Sequence, residues 1–446
     1  MRLVNTDEPT IVAVHAHPDS PRLWDGMAAL LDGARVLHTD TAGLAAALAA
    51  QRPVHVVAHG RAVAAVWDAL ARPGAAVASV TVSERGRRRF ERRPTGPARR
   101  VDVPVQLIAP AGGADDLTAT VPRLWRREVA TGQPAPDTHP ELFARAVRQL
   151  VEHLDGAPAA RELRRAEVRR SRRPFDDTLV SVTGAGSGIG RETALAFARD
   201  GAELIISDVD ADGLAETARR LTEAGATAHH YLVDVADAAA VEAFADEVCG
   251  EHGVPDIVIN NAGVGHAGYF LDTPAEEFDR VLDINFGGVV NGCRSFGRRL
   301  VERGTGGHIV NIASMASYTP VNMMNAYCTS KAAVFMFSDC LRAELDSAGI
   351  GVTTICPGVI GTNIVDTTRF SLPDSRRGET EALRARARRG FSLRRYGPDK
   401  VARAIVAAVR KNKAVEPVTL EARAVYAIAH AAPPAMRSAA RGGNFV

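Results

Sequence analysis

From Phe175 onward, short apolar runs rich in β-branched residues alternate with longer stretches of helical period. The expected strands are Leu179–Thr183, Glu203–Ser207, Ala228–Val233, Asp256–Asn260, Gly307–Ile312 and Ile350–Cys356, and helices are expected over Gly190–Asp200, Ala211–Ala224, Ala238–His252 and Ala326–Ala348. Strands that are apolar throughout, with a helix between each pair, specify a parallel sheet covered on both faces. The fold class expected here is therefore α/β with a doubly wound sheet. Residues 1–155 carry a second alternating pattern, with strands expected at Thr10–His15, Arg35–Leu37, Val54–Ala58 and Val103–Ile108.

Between the two patterns, Arg161 to Pro174 (RELRRAEVRRSRRP) has almost no aliphatic residues. Its interleaved Arg and Glu read as a solvated helix linking residues 1–155 to residues 175–446, rather than as a nucleic-acid-binding arm. Glu84 to Arg100, interrupted by Pro94, Gly96 and Pro97, reads as a loop. Near the end, Val401–Val409 has helical period, and Ala422–Met436 is largely apolar. Packing of this tail on its own domain or on a neighbouring subunit is the expected arrangement, with membrane-surface contact the weaker alternative.

Composition changes the picture only slightly. A chain of 446 residues, 46% apolar and 24% charged with a net charge of +2, reads as globular, of two domains, with no nucleic-acid partner expected. The five cysteines (Cys249, Cys293, Cys328, Cys340 and Cys356) have neither CxxC spacing nor disulfide-scaffold density. No metal site is expected from them, and free thiols suit a reducing cytoplasm. The charged N-terminus is unlike a signal peptide, and no apolar run is long enough to span a membrane.

The first strand of the second pattern runs through Thr183-Gly184-Ala185-Gly186-Ser187-Gly188-Ile189-Gly190 directly into a helix. Glycines allow close backbone approach to a pyrophosphate, and the helix N-terminus offers free N–H groups and the positive dipole end. Asp208, 18 residues past Gly190, closes the next strand at the spacing of an acid that meets the adenosine ribose hydroxyls. Its charge repels a 2′-phosphate, and neither Ser187 nor Val209 is basic, so NAD is expected over NADP. Asp234 and Val235 end the third strand and can hold the adenine edge, while Asn261 and Gly263 follow the fourth.

Tyr327 and Lys331 are four apart in a helical segment, one turn apart on one face. To act near neutral pH, a phenol of ordinary pKa about 10 needs its phenolate stabilised by roughly 4 kcal/mol, which a nearby ammonium and an oxidised nicotinamide could supply together. Ser314, 13 residues earlier and just after a strand, could fold back to orient a carbonyl or could simply cap a turn.

TGAGSGIG, NNAG, DINFGG with Asn285, Ser314, YCTSK from Tyr327 to Lys331, and PGVIGT from Pro357 to Thr362 together resemble the short-chain dehydrogenase/reductase family in order and spacing, from about Phe175 to Lys413. The resemblance implies a Rossmann-type fold and an NAD(P)-dependent oxidoreductase. Tyr327 would be the general acid/base, and Lys331 would lower its pKa and bind the nicotinamide ribose. Ser314 would position substrate, Asn285 would hold a relay water, and Ile360 and Thr362 would contact the nicotinamide amide. It also implies a homodimer or homotetramer. The long Arg-rich stretch after Thr362 corresponds to the substrate lid, and Tyr318, Met323 and Met324 could line an apolar pocket for a lipid-like alcohol or ketone, or could equally be packing.

In residues 1–155, VHAHPDSPRLWDGMAALL, VHVVAHGRAVAAVWDAL and VPVQLIAPAGG resemble pieces of an α/β-hydrolase of the epoxide hydrolase type. Gly60 occupies the nucleophile's position, no histidine lies at Gly132-Gln133 where the base is expected, and most of the cap is missing. His139 sits in a helix-start context, and His59, Asp115 and Asp116 are the remaining candidates for some other role. The whole chain resembles bacterial fusions of such a hydrolase with a short-chain dehydrogenase, here with a truncated, degenerate hydrolase part. The expected function is interconversion of a secondary alcohol and a ketone. The alternatives are a cofactor-sensing scaffold and a bifunctional protein with residual hydrolase activity.

Overall fold

The computed structural model describes residues 8–16, 21–49, 52–72, 75–83, 100–110, 117–129, 135–168, 172–361, 368–373, 378–382, 384–385 and 396–434. The chain divides into two compact units, residues 1–172 and 173–446 apart from a short exchange at 303–305. No described helix is long and apolar enough to cross a membrane.

Unit 1 is a six-stranded parallel sheet: β1 (Thr10–His15), β2 (Arg35–Asp40), β3 (Val54–His59), β4 (Val77–Ser83), β5 (Val105–Pro110) and β6 (Leu124–Val129), in the order β2-β1-β3-β4-β5-β6. Alternate residues of β1 enter two cores: Val12 and Val14 join Val56, Val66 and Leu107, whereas Ile11 and Ala13 join Trp24, Phe143 and Val147. Both faces are thus buried, which is why the strands read as unbroken apolar runs. β4 and β6 were not expected from the sequence. β6 (LWRREV) looks polar because Arg127 is buried in it, held by Gln106 (2.8 Å), Gln149 and Glu162.

The Arg-rich joint differs from expectation. Its first part is helix α5 (Arg161–Ala166), docked on unit 1 rather than solvated. Leu163 and Ala166 pack with Trp125 and Leu150, and Glu162 pairs with Arg127 (3.1 Å) and Arg145 (3.2 Å). Burial raises the Glu162 pKa, but the surrounding arginines, Arg145 and Arg127 foremost, outweigh it and hold the carboxyl below its ordinary range. The helix carries few aliphatic residues because one buried leucine and one ion-pair network suffice to dock six residues.

Unit 2 is a seven-stranded parallel sheet: β7 (Leu179–Thr183), β8 (Glu203–Asp208), β9 (Ala228–Leu232), β10 (Ile257–Asn260), β12 (Gly307–Ile312), β13 (Ile350–Cys356) and β15 (Val415–Pro417), in the order β15-β13-β12-β10-β7-β8-β9. The chain builds outward from β7 to β9, then returns to the other side of β7 with β10. The crevice outside the carboxyl ends of β7 and β10 is therefore the switch point at which doubly wound folds bind ligands. Helices α6 (Gly188–Arg199), α7 (Ala211–Glu223) and α8 (Ala238–His252) connect the first strands; α9 (Ala275–Leu282), α10 (Gly288–Arg303), α11 (Asn325–Leu345) and α12 (Pro398–Arg410) follow. A two-stranded pair, β11 (His266–Gly268) with β14 (Arg369–Ser371), and β15 were not anticipated, being three residues each. The tail helix α13 (Leu420–Ala431) packs on unit 2 through Tyr426, whose ring meets Tyr318 and Phe335.

Candidate functional site

The turn after β7 is held open by its own glycines. Gly184 and Gly188 have φ of +64° and +52°, values that L side chains adopt at a cost. A Cβ on Gly190 would lie 2.1 Å from the Gly184 carbonyl oxygen, and one on Gly184 would lie 2.7 Å from Ala262 Cα. Ser187 is the N-cap of α6 with its side chain making no cap bond, so the first-turn N–H groups keep their positive end for an anion. Ile189 packs against the core beneath the turn. These features fit a dinucleotide pyrophosphate.

Asp208 sits beside this turn: its Oδ2 accepts from Gly186 N (2.7 Å) and its Oδ1 from Asp210 N (3.0 Å). Arg191, the nearest cation, is turned inward, donating to the carbonyls of Gly186 and Gly213 and to Thr217 Oγ1 (2.8 Å). Asp234 is exposed and caps Ala236 N (3.0 Å), while Val235 is buried against Gly288. Asn261 is engaged with the turn itself: its amide nitrogen donates to the carbonyls of Thr183 (2.9 Å) and Gly184 (3.0 Å). Thr183, which the sequence placed in the turn without a role of its own, accepts from the backbone N–H groups of Asn261 (3.0 Å) and Ala262 (3.1 Å) and so joins the ends of β7 and β10.

The catalytic candidates converge on the same crevice. Asn285 lies in a π-helical turn, Asp283–Gly287, a distortion often found at functional sites. The side chain is fully buried; its Oδ1 accepts from Val264 N (2.7 Å), and its Nδ2 donates to Val264 O (3.0 Å) and Ser330 Oγ (3.1 Å). Lys331 Nζ donates to Ile312 O (2.9 Å) and lies 6.0 Å from the centre of the Tyr327 ring. Gly263 leaves space here, since a Cβ on it would come within 3.0 Å of Asn285 Oδ1 and 3.5 Å of Lys331 Nζ.

Ser314 both caps and faces the phenol. Its hydroxyl accepts from Ala316 N (3.1 Å) and also hydrogen-bonds with Tyr327. Burial raises the Tyr327 pKa and the Ser314 bond opposes it, with a net rise. Burial pushes the Lys331 ammonium down to about 8. The protein alone thus holds a protonated phenol beside a lysine that remains largely charged at neutral pH. Ser330 and Ser317, which were not anticipated, support the site: Ser317 Oγ donates to Lys331 O (2.8 Å). Ile360 is buried in the core, and Thr362 lies outside the described residues.

The short chain dehydrogenase family model matches residues 178–371. Over the whole chain, "Probable oxidoreductase EphD" of Mycobacterium tuberculosis is 44% identical over 563 aligned positions, spanning 98% of this chain and 95% of the relative. The chain belongs to the short-chain dehydrogenase/reductase family. "Putative oxidoreductase SadH" of the same organism is 36% identical over 257 positions, 57% of this chain and 91% of that one. A short-chain dehydrogenase/reductase from Burkholderia phymatum in complex with NAD superposes with a TM-score of 0.53 at 30% identity, over 59% of this chain and 95% of that one. This short-chain dehydrogenase/reductase is therefore an oxidoreductase that acts on CH–OH groups with a nicotinamide dinucleotide.

β14 is fastened to β11 by backbone pairing and by His266 Nε2 with Ser371 Oγ (3.0 Å), and to α9 through Arg369 with Glu277 (2.9 Å). Met323, at φ +63°, accepts at its carbonyl from Gly268 N (2.6 Å). Of the two roles left open for Tyr318, its contacts are those of packing: its hydroxyl donates to Ala422 O (3.2 Å) and its ring packs with Phe335 and Tyr426, making it an anchor for α13.

In unit 1, β3 turns sharply into α3 (Ala62–Leu70) at Gly60, whose φ is +59°. His59 is buried, with Nδ1 bonded to Ser83 Oγ (2.7 Å) on the neighbouring strand. His139 stands immediately before α4 (Pro140–Leu154), bonded to Thr138 (2.8 Å) at a helix start. Asp115, Asp116, Gly132 and Gln133 lie outside the described residues.

Proposed function

We propose that unit 2 interconverts a secondary alcohol and its ketone, with Tyr327 as the acid/base, and that it prefers NAD. The observation that carries this reading is the convergence of Asn285, Ser314, Tyr327 and Lys331 in the crevice that also contains the glycine turn. The bound nicotinamide dinucleotide supplies or accepts the hydride. In the reducing direction Tyr327 gives its phenolic proton to the substrate oxygen while the Ser314 hydroxyl holds that oxygen. The Lys331 ammonium, anchored on Ile312 O, stabilises the phenolate left behind and reaches the nicotinamide ribose. Asn285, held by Val264 and Ser330, positions the water through which Tyr327 is reprotonated.

Gly184, Ser187, Gly188, Ile189 and Gly190 form the pyrophosphate cradle, Asp208 takes the adenosine ribose, and Asp234 and Val235 hold the adenine edge. Asn261 acts by fixing the turn, and Gly263, Ile360 and Thr362 flank the nicotinamide. NAD preference is supported by Asp208 at the turn and by the inward engagement of Arg191, which directs that cation away from a 2′-phosphate. An apolar substrate is supported by exposed Phe270 and Leu271 next to β11 and by Phe370 within β14. Cytoplasmic location and a homodimer or homotetramer remain part of the proposal.

Unit 1 we read as a hydrolase relic without hydrolytic activity. At its elbow stands Gly60, which has no nucleophile. The EphD alignment is longer than this 446-residue chain, so that relative carries insertions this chain lacks, in keeping with a lost cap. The test of the main reading is Tyr327→Phe, expected to lower kcat on secondary alcohols by about 10²- to 10⁴-fold while leaving NADH affinity within about threefold. Equal loss of binding and turnover would remove Tyr327 from the acid/base role, and NADH binding with no turnover of any alcohol or ketone by the wild type would favour a cofactor sensor.

A further inference from the structure

At the end of the unit 2 sheet opposite the catalytic crevice, three metal-ligating side chains meet that lie far apart in sequence. Glu203 opens β8, His229 is the second residue of β9, and His252 closes α8. The β8–β9 register pairs Leu204 with Ala228 and Ile205 with His229, so Glu203 and His229 are close neighbours across the two strands. His229 Nε2 lies 3.1 Å from Glu203 Oε1, and the rings of His229 and His252 stack at 3.9 Å with 25° between their planes. One ligand atom from each of the three residues lies within 4.8 Å of the other two.

We propose that Glu203, His229 and His252 bind one divalent transition ion of the zinc class, which ties β8, β9 and α8 together. Two imidazole nitrogens with one carboxylate oxygen favour zinc, cobalt, nickel or copper over magnesium or calcium. The three side chains are 21%, 32% and 14% exposed, which leaves an ion a way in while excluding bulk water from most of the site.

Ligands about 2.0–2.1 Å from a tetrahedral ion stand roughly 3.3 Å apart, so side-chain rotations of about an ångström bring these groups into place. His252 Nε2 is bonded to the Tyr231 hydroxyl (2.8 Å) and lies 3.4 Å from Glu251 Oε2. Such outer partners orient a ligating imidazole and raise its basicity. Glu203 Oε1 and His229 Nε2, now in contact with each other, would exchange that bond for two bonds to the ion. Three protein ligands leave a fourth position for water, the arrangement of an open site with moderate affinity. The same strands end at Asp208 and Leu232 on the cofactor side, so the ion would brace the adenosine half of the fold.

The experiment uses the untagged full chain, stripped with chelator, titrated with zinc chloride by calorimetry and by thermal unfolding, and with cobalt(II) by visible absorption. One ion per chain with micromolar affinity, a rise in Tm of several degrees and a tetrahedral cobalt spectrum are expected. His229→Gln and Glu203→Gln should each weaken binding at least tenfold, whereas His230→Gln, an exposed neighbour, should leave it unchanged. NADH titration of each variant checks that unit 2 is folded. Absence of zinc-dependent stabilisation in the wild type, or equal binding by His229→Gln and wild type, would overturn the proposal.

Discussion

The two units use one backbone device to opposite ends. In each, a central strand of a parallel sheet turns into a helix through a glycine at positive φ: Gly60 after β3, and Gly184 and Gly188 after β7. In unit 2 the reaction needs backbone N–H groups near a phosphate, and a missing side chain is what permits their approach. In unit 1 the resembled reaction needs a nucleophilic side chain on the turn, and on the proposed reading Gly60 keeps the turn geometry without that side chain. A glycine is therefore evidence for function or against it according to which group must occupy the turn.

The strongest way to break this comparison is to add one carbon to the unit 2 turn. Gly190→Ala puts a Cβ 2.1 Å from Gly184 O and 2.5 Å from Asn261 Nδ2, which backbone cannot relieve without moving the cradle. NADH affinity, measured by nicotinamide fluorescence, should fall at least 100-fold while the chain stays folded by circular dichroism. Unchanged affinity would mean that the turn does not hold the pyrophosphate.

The residues proposed for the cradle and for catalysis could be named from the sequence because such chemistry imposes local spacing: glycines within one turn, Tyr327 and Lys331 one helical turn apart, an acid at the end of the next strand. Contacts set by tertiary packing were not. Ser330 is three residues from Tyr327, yet its role depends on Asn285, 45 residues away, being folded against it. Arg127 made β6 look like a surface segment because its partners Gln106 and Glu162 come from another strand and from a helix. Glu203, His229 and His252 follow no metal-binding spacing at all; only the β8–β9 register and the end of α8 bring them together. For Tyr318 the sequence left pocket lining and packing equally open, because its partner, Tyr426, lies in a helix about a hundred residues later.

A smaller effect is expected at Asp208. Replacing it by Ala removes a charge that opposes a 2′-phosphate and should shift the NAD-to-NADP preference by about tenfold or more. Asp208→Asn keeps an acceptor for Gly186 N while deleting the charge, so a shift in both variants isolates electrostatics from turn geometry. An unchanged ratio in both would undo the assignment of the ribose.

Buried bases extend the comparison. Burial lowers the pKa of His55 in unit 1, where it is bonded to Ser79 (2.8 Å), and lowers Lys331 in unit 2 from 10.5 to about 8. For Lys331 the folded value lies below the unfolded one, so burial costs stability below about pH 8, and that cost fades as pH rises towards 10.5. Its ammonium is present below pH 8 and lost above it. NADH affinity should therefore weaken about three- to tenfold as pH passes through 8, and Lys331→Met should flatten that profile. A wild-type profile that is already flat would show that the ammonium does not contact the cofactor.

The smallest effect is predicted for the other turn. Gly60→Asp places a carboxylate at the elbow, but at φ +59° a non-glycine residue costs about 1 kcal/mol, which lowers the Tm of unit 1 by a few degrees. Hydrolysis of epoxides or esters should stay at background and dehydrogenase kcat within about twofold, because a nucleophile without a base and a cap has neither activation nor a closed site. If the single substitution produced turnover, the unit would have kept every other part of the machinery, and its separation from unit 2 in function would rest on one missing side chain rather than on a dismantled site.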